Sequence, residues 1–344
     1  MTSSAQPSAA GQASSGVDWR RFVELIRGNQ RFLLTAHIRP DCDSVGSELA
    51  MAAILQRLGK EVRIINPFEL PPNLRFLDPE GKLLGQERLG DPGTAEWIES
   101  TDVLMVLDTT AWAQLGDMCE VIRATKAIKM VVDHHLSGDD LGAELFKNTE
   151  AEATGRLVAE AAGQLKVEIT PEIARALFAA VATDTGWFRF SSTSADTYRL
   201  AAQLAAAGAK PDQVYKDLYE NDTLARLQLI GRAMARVETE LDGRLIHTWL
   251  ERADFDAVVA IPQDSEDVIN MTLSVGGTQV AVILVEQPGG GFKISFRSRS
   301  DFDCRLVAEQ FGGGGHKKAA GAFLDEPLAS AQSKVLDGVR AAMR

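Results

Sequence analysis

"RFLLTAHIRPDCDSVGSELAMAAILQRLG", residues 31–59, decides the fold. It opens with an apolar run ending in a histidine, passes through Pro40 and two aspartates, and from Ser44 onward repeats apolar residues at helical spacing. A strand, a polar turn and a helix make the first part of a βαβ unit, and the apolar run "EVRIIN" (61–66) supplies its second strand. "DVLMVLD" (102–108) and "KMVVD" (129–133) read as further buried strands. "ATGRLVAEAAGQL", "PEIARALFAAVATDTG" and "SADTYRLAAQLAAAG" read as helices, with Pro171 suited to a first turn. The expectation is an α/β domain built on a parallel sheet with helices on both faces.

Beyond residue 210, "PDQVYKDLYENDTLARLQLIGRAMARVETE" (211–240) reads as a long charged helix leading to a second unit. There "RLIHTWLE", "TQVAVILVEQ", "FKISFRSR" and "AAGAFLDE" are strand-like, and an amphipathic helix from residue 327 closes a smaller α+β domain. The expected organisation is a disordered tail over 1–17, a first domain over 18–210, a helical linker over 211–240 and a second domain over 241–344.

Composition narrows the function. With 36 basic and 48 acidic side chains the formal charge is −12, which argues against long nucleic acid, because such binding needs an extended basic surface. Cys42, Cys119 and Cys304 form no CxxC pair, so neither a disulfide framework nor a thiolate zinc site is suggested, and a reducing cytoplasm is expected. No apolar run has the length of a membrane span.

Chemistry gathers where strands end, and in open α/β sheets ligands collect outside those carboxyl ends. The first strand delivers His37, Asp41 and Asp43 within seven residues. An imidazole with two carboxylates suits Mn²⁺ or Mg²⁺ better than zinc, although an aspartate after proline also serves as a turn former or helix N-cap. Asp108 closes the third strand, Asp133 and His134 close the fourth, and Asp184 sits in "ATDTGWF" beyond an apolar helix. So many carboxylates at one sheet edge would raise each other's pKa unless cations separated them.

The order "HIRPDCD", "LDT", "DHH", "TDTG" and, far downstream, "GGGGHKKAAG" resembles the DHH/DHHA1 phosphoesterase family, over nearly all of residues 18–344. Length and motif order resemble its bifunctional oligoribonuclease and 3′-phosphoadenosine-5′-phosphate phosphatase branch. The resemblance implies two divalent cations, Mn²⁺ by preference. His37, Asp41 and Asp108 would hold one, and Asp43, Asp108, His134 and Asp184 the other, with Asp108 bridging. His135 would face the scissile phosphate, and Asp133 would orient an imidazole from behind. Cys42 stands where many relatives carry glycine.

The second informative stretch, "GFKISFRSRSDFDCRLVAEQFGGGGHKKAAG" (291–321), carries net positive charge in an acidic chain. Its glycines allow backbone N–H groups to approach an anion, and His316 and the lysines add donors. Ser295, Arg297, Arg299, Gly313, Gly314, Gly315, His316 and Lys317 are the candidate substrate contacts, with Arg297 and His316 leading for a terminal phosphate. Metals in one domain and a phosphate grip in the other suit a short polyanion: a dinucleotide, a few-nucleotide RNA or a nucleoside bisphosphate, not a long duplex. Phe292, Phe296, Phe302 and Phe311 are expected in the core. Alternatives are a cyclic or linear dinucleotide phosphodiesterase, a RecJ-like exonuclease, or a non-catalytic nucleotide sensor. The sensor is disfavoured because every ligand position is filled. Two-domain relatives suggest a homodimer.

Overall fold

The computed structural model describes residues 16–79, 87–266 and 268–344, so the tail expected over 1–17 lies, up to residue 15, outside the described residues. The chain divides into two units, Met1–Glu220 and Asn221–Arg344.

Among its described residues the first unit holds six parallel strands: β1 (Arg31–Thr35), β2 (Glu61–Asn66), β3 (Glu87–Arg88), β4 (Val103–Leu107), β5 (Ile128–Asp133) and β6 (Glu144–Lys147), in the order β3-β2-β1-β4-β5-β6. Its helices are α1 (Trp19–Gly28), α2 (Cys42–Arg57), α3 (Thr94–Glu99), α4 (Met118–Ala124), α5 (Thr154–Leu165), α6 (Pro171–Asp184), α7 (Ala195–Ala206) and α8 (Pro211–Tyr219). Successive strand residues point to opposite faces, and both faces are covered. Phe32, Leu34, Met105 and Val132 pack with α1, α2, α5 and α6, whereas Leu33, Leu104, Val106 and Val131 pack with α3 and α4. Strand order reverses between β1 and β4, the crevice where such sheets take ligands.

Helix α2 is buried along nearly its whole length, which explains why it shows no polar face. Its close approach to α6 needs Gly46, since a Cβ there would lie 2.6 Å from the Ala176 carbonyl oxygen. Asp41 caps the helix: its side chain accepts from the Ser44 N–H at 2.9 Å, while the Ser44 hydroxyl accepts from the Asp41 N–H at 3.0 Å.

The segment 211–240 is not one helix. It comprises α8, a break at residues 220–223, α9 (Leu224–Ala235) and the strand β7 (Glu238–Glu240). Thr223 ends the continuity by capping α9, its hydroxyl accepting from the Arg226 N–H at 3.0 Å. The second unit continues with β8 (Leu245–Leu250), α10 (Arg252–Val258), α11 (Val268–Thr272), β9 (Val280–Glu286), β10 (Phe292–Ser298), α12 (Cys304–Glu309), β11 (Gly314–His316), β12 (Ala319–Leu324) and α13 (Leu328–Ala342). Its sheet runs β11-β12-β10-β9-β8-β7, with β8 and β9 parallel and the other pairs antiparallel. Phe292, Ile294 and Phe296 face α12 and α13, with Phe302 and Phe311 against the same core. Alternation turns Lys293, Ser295 and Arg297 to the opposite face.

A candidate two-cation centre

His37 follows β1 and is nearly buried, with its Nε2 3.3 Å from Asp108 Oδ2 and 3.7 Å from Asp41 Oδ2. Asp41 therefore does both things its position after Pro40 allows: Oδ1 caps α2, and Oδ2 faces the imidazole. Burial lowers the pKa of His37, favouring the neutral ring that a metal ligand requires.

Asp43 lies in the first turn of α2, fully enclosed. Its Oδ2 accepts the Thr154 N–H and its Oδ1 the Gly155 N–H, each at 2.8 Å, so the start of α5 grips both oxygens. Asp108 stands just beyond β4 in a left-handed conformation, φ 64°, which an aspartate tolerates but does not favour. Its N–H donates to the Val132 carbonyl at 2.9 Å, extending the ladder while the side chain turns inward. Oδ2 faces His37, and Oδ1 accepts the Thr154 hydroxyl at 2.8 Å and faces His134 Nε2 at 3.7 Å.

His134 Nδ1 lies 3.2 Å from the Ala151 carbonyl, which can only accept, so that nitrogen carries the proton. Nε2 is thereby left to face Asp184 at 3.5 Å and Asp43 at 3.7 Å. Asp184 ends α6, where its carboxylate is repelled by the negative end of the helix dipole and a nearby cation would relieve both.

The electrostatics describe a centre short of positive charge. Burial, then Asp108 and Asp184, push Asp43 well above the carboxylate range despite its two backbone hydrogen bonds. Burial, then Asp41, push Asp108 up to about 8, and burial raises Asp184. His37, Asp41 and Asp108 offer one set of ligand atoms within 4.8 Å of one another, and Asp43, His134 and Asp184 offer another. Asp108 reaches both sets through different oxygens. An imidazole and carboxylate oxygens in each set fit a Mn²⁺- or Mg²⁺-like ion.

His135 is half-exposed and held from behind. Asp133 Oδ1 accepts its backbone N–H at 3.0 Å and its ring Nδ1–H at 2.8 Å. Asp133 Oδ2 accepts the Thr110 hydroxyl and pairs with Lys147 Nζ, each at 3.0 Å. Burial works against the Asp133 charge, but the His135 and Lys147 hydrogen bonds outweigh it and bring the group down to about 2. The Asp133 hydrogen bond in turn raises His135 to about 9, a protonated ring at neutral pH. Sequence reasoning missed Thr110, Lys147 and Thr154. Of these only Thr154, opening a helix in "ATG", left a cue.

The second unit separates its candidates. Ser295 and Arg297 line a cavity of about 500 Å³ together with Lys293, Arg252 and Glu266. Gly314, Gly315 and His316 instead form the edge strand β11. The glycines there serve strand pairing: a Cβ on Gly313 would meet the Gly321 carbonyl oxygen at 2.1 Å, and one on Gly315 the Ala319 oxygen at 2.7 Å. His316 is exposed, Lys317 lies 3.8 Å from Asp301, and Arg299, also exposed, is tied through its N–H to the Gln279 carbonyl.

Residues 31–181 match the family model for the DHH family, N-terminal domain, and residues 257–344 match that for the DHHA1 domain. The chain belongs to the DHH/DHHA1 family. Asp133, His134 and His135 are its DHH triplet. Among relatives, the bifunctional oligoribonuclease and PAP phosphatase NrnA of Thermus thermophilus is 30% identical over 89% of this chain and 88% of its own length. The cyclic-di-AMP phosphodiesterase PdeA of Listeria monocytogenes is 26% identical over 92% of this chain, which spans 48% of that protein. The crystal structure of an exopolyphosphatase-related protein from Bacteroides fragilis shares the fold, with TM-score 0.81 over 94% of this chain and 95% of that one, at 24% identity.

Proposed function

We propose that this DHH/DHHA1 enzyme hydrolyses short oligoribonucleotides to mononucleotides and 3′-phosphoadenosine 5′-phosphate to AMP. The observation that carries the reading is the division of Asp108 between two donor sets, one oxygen toward His37 and the other toward His134. His37, Asp41 and Asp108 would hold one divalent cation, and Asp43, Asp108, His134 and Asp184 a second, with Mn²⁺ the proposed ion. A bound pair of such ions acidifies water and neutralises charge on the attacking and leaving oxygens of an in-line displacement.

The chain's own residues supply the rest. Thr154, Gly155 and the Ala151 carbonyl fix Asp43, Asp108 and His134 before any ligand arrives. Asp133 holds His135 with its proton on Nδ1, so the cationic ring can stabilise a phosphoryl oxygen or assist the departing oxygen. Arg297, whose guanidinium can grip a phosphate through two parallel N–H groups, is the proposed contact for the substrate's other phosphate, with Ser295 beside it. The identity to the Thermus thermophilus protein supports this substrate class, and the −12 charge favours short substrates over long duplexes. Three free cysteines, two of them buried, support a reducing cytoplasm, and a homodimer is the proposed assembly.

A second reading, cleavage of a cyclic or linear dinucleotide, draws on the likeness to the Listeria monocytogenes phosphodiesterase. One experiment separates the two: hydrolysis with Mn²⁺ of adenosine 3′,5′-bisphosphate, a 5′-phosphorylated RNA dinucleotide, a short RNA, long RNA and DNA, and a cyclic dinucleotide, with Asp184→Ala as control. Mononucleotide release from short RNA and turnover of the bisphosphate are expected. Preference for the cyclic dinucleotide or for long DNA would overturn the substrate assignment.

A further inference from the structure

Where β1 ends, its regular pairing with β2 stops at Leu34 and Ile64, two residues before the peptide that leads into His37. A side chain takes over there. Asn66, fully buried at the end of β2, accepts through Oδ1 from the Ala36 N–H at 3.0 Å and from the Thr35 hydroxyl at 3.1 Å. Those donors fix the amide orientation: a flipped Asn66 would set its NH₂ against the Ala36 N–H. The Asn66 Nδ2 must then point away, and it donates to Glu48 Oε2 at 3.0 Å. Glu48 is fully buried on α2, the helix that Asp41 caps and that carries Asp43 in its first turn. A continuous hydrogen-bonded chain thus joins the helix bearing two candidate ligands to the backbone immediately before the third. Nothing in the proposed reaction uses Glu48 or Asn66 directly, and a buried carboxyl is costly without such a partner.

We propose that Asn66 and Glu48 are positioning residues for the His37 half of the centre, aiming the imidazole through the Ala36 peptide. This rests on the two-cation reading above. It also makes the centre asymmetric. The Asp43, His134 and Asp184 half is braced by Thr154, Gly155 and Ala151, which lie outside this chain of contacts. Burial raises Glu48 to about 8, so near neutral pH it carries a proton and glutamine copies both its shape and its charge.

The test is calorimetric titration of the full chain with Mn²⁺, alongside kcat and KM on adenosine 3′,5′-bisphosphate. Asn66→Ala is expected to weaken one Mn²⁺ equivalent about tenfold, the usual scale for losing a group that orients a ligand, and to leave the other within about twofold. It should lower kcat while KM holds. Glu48→Gln should stay close to wild type, and Glu48→Ala should follow Asn66→Ala. If Asn66→Ala does not fold, the contrast between the two Glu48 variants decides. Unchanged Mn²⁺ affinity, equal weakening of both equivalents, or equal effects of Glu48→Gln and Glu48→Ala would overturn the assignment. A wild-type chain that takes up no Mn²⁺ would refute the two-cation reading itself, and this inference with it.

Discussion

The two informative regions of this chain are built in opposite ways. In the first unit four of the candidate ligands are held by neighbours: Asp43 by two backbone N–H groups, Asp108 by a hydroxyl, His134 by a carbonyl, and His37 through the peptide before it. Asp43 and Asp108 are buried, and with Asp184 they crowd until their pKa values rise. In the second unit the candidates lie on a sheet, several of them exposed or lining a cavity, and Gly313 and Gly315 of the glycine run serve strand packing. The proposed ion centre is preorganised by the fold, whereas the proposed grip on a flexible polyanion is made of more exposed side chains.

Substitutions can break or sharpen that contrast. The largest effect is expected for Asp108→Asn, which weakens both donor sets at once. Its kcat with Mn²⁺ should fall by at least about 10²–10³-fold, the scale of a lost electrostatic contact to a transition state, and near-normal turnover would break the two-set description. Arg297→Ala should instead raise KM for the bisphosphate by roughly 10–100-fold with kcat largely kept, as expected for losing a charged hydrogen bond worth about 1.5–3 kcal/mol. An unchanged KM would remove the cavity from the substrate path. His316→Ala should act in the same direction and less.

A smaller effect, in melting temperature, tests the crowding directly. A carboxylate whose folded pKa lies above its unfolded value binds more protons when folded, so stability is lost as pH rises between the two values. For Asp108 that window runs from an unfolded value of about 4 to the folded value of about 8. With chelator present, the melting temperature should therefore fall between pH 5 and 8. Saturating Mn²⁺ should restore several degrees and flatten the slope. A chelated protein that gains stability over that range would contradict the electrostatic picture. The smallest effect is reserved for Lys317→Ala: its side chain is solvated and its nearest acid is at 3.8 Å, so a KM change within about twofold is expected.

How much of this was legible in the sequence follows the same divide. Strands at 31–35, 61–66, 103–107 and 128–133 were readable because each is a short apolar run, and His37, Asp41, Asp43, Asp108, His134 and Asp184 because polar residues at strand and helix ends stand out. Asn66, Glu48, Thr110 and Lys147 were not, since each is an ordinary residue locally and gains meaning only from distant partners, and Thr154 showed only as a helix start. In the run "GGGGH" glycine's freedom is visible in sequence, but the neighbouring backbone that demands it at Gly313 and Gly315 is not. Over 211–240 helical periodicity continues through a break that "NDT" marks only as a cap.

The most direct test of the central claim is the number of Mn²⁺ ions bound per chain at saturation, measured by elemental analysis of the dialysed wild-type protein and its Asp184→Ala variant. The account predicts two for the wild type and one for the variant. A wild-type chain holding one ion or none would contradict it.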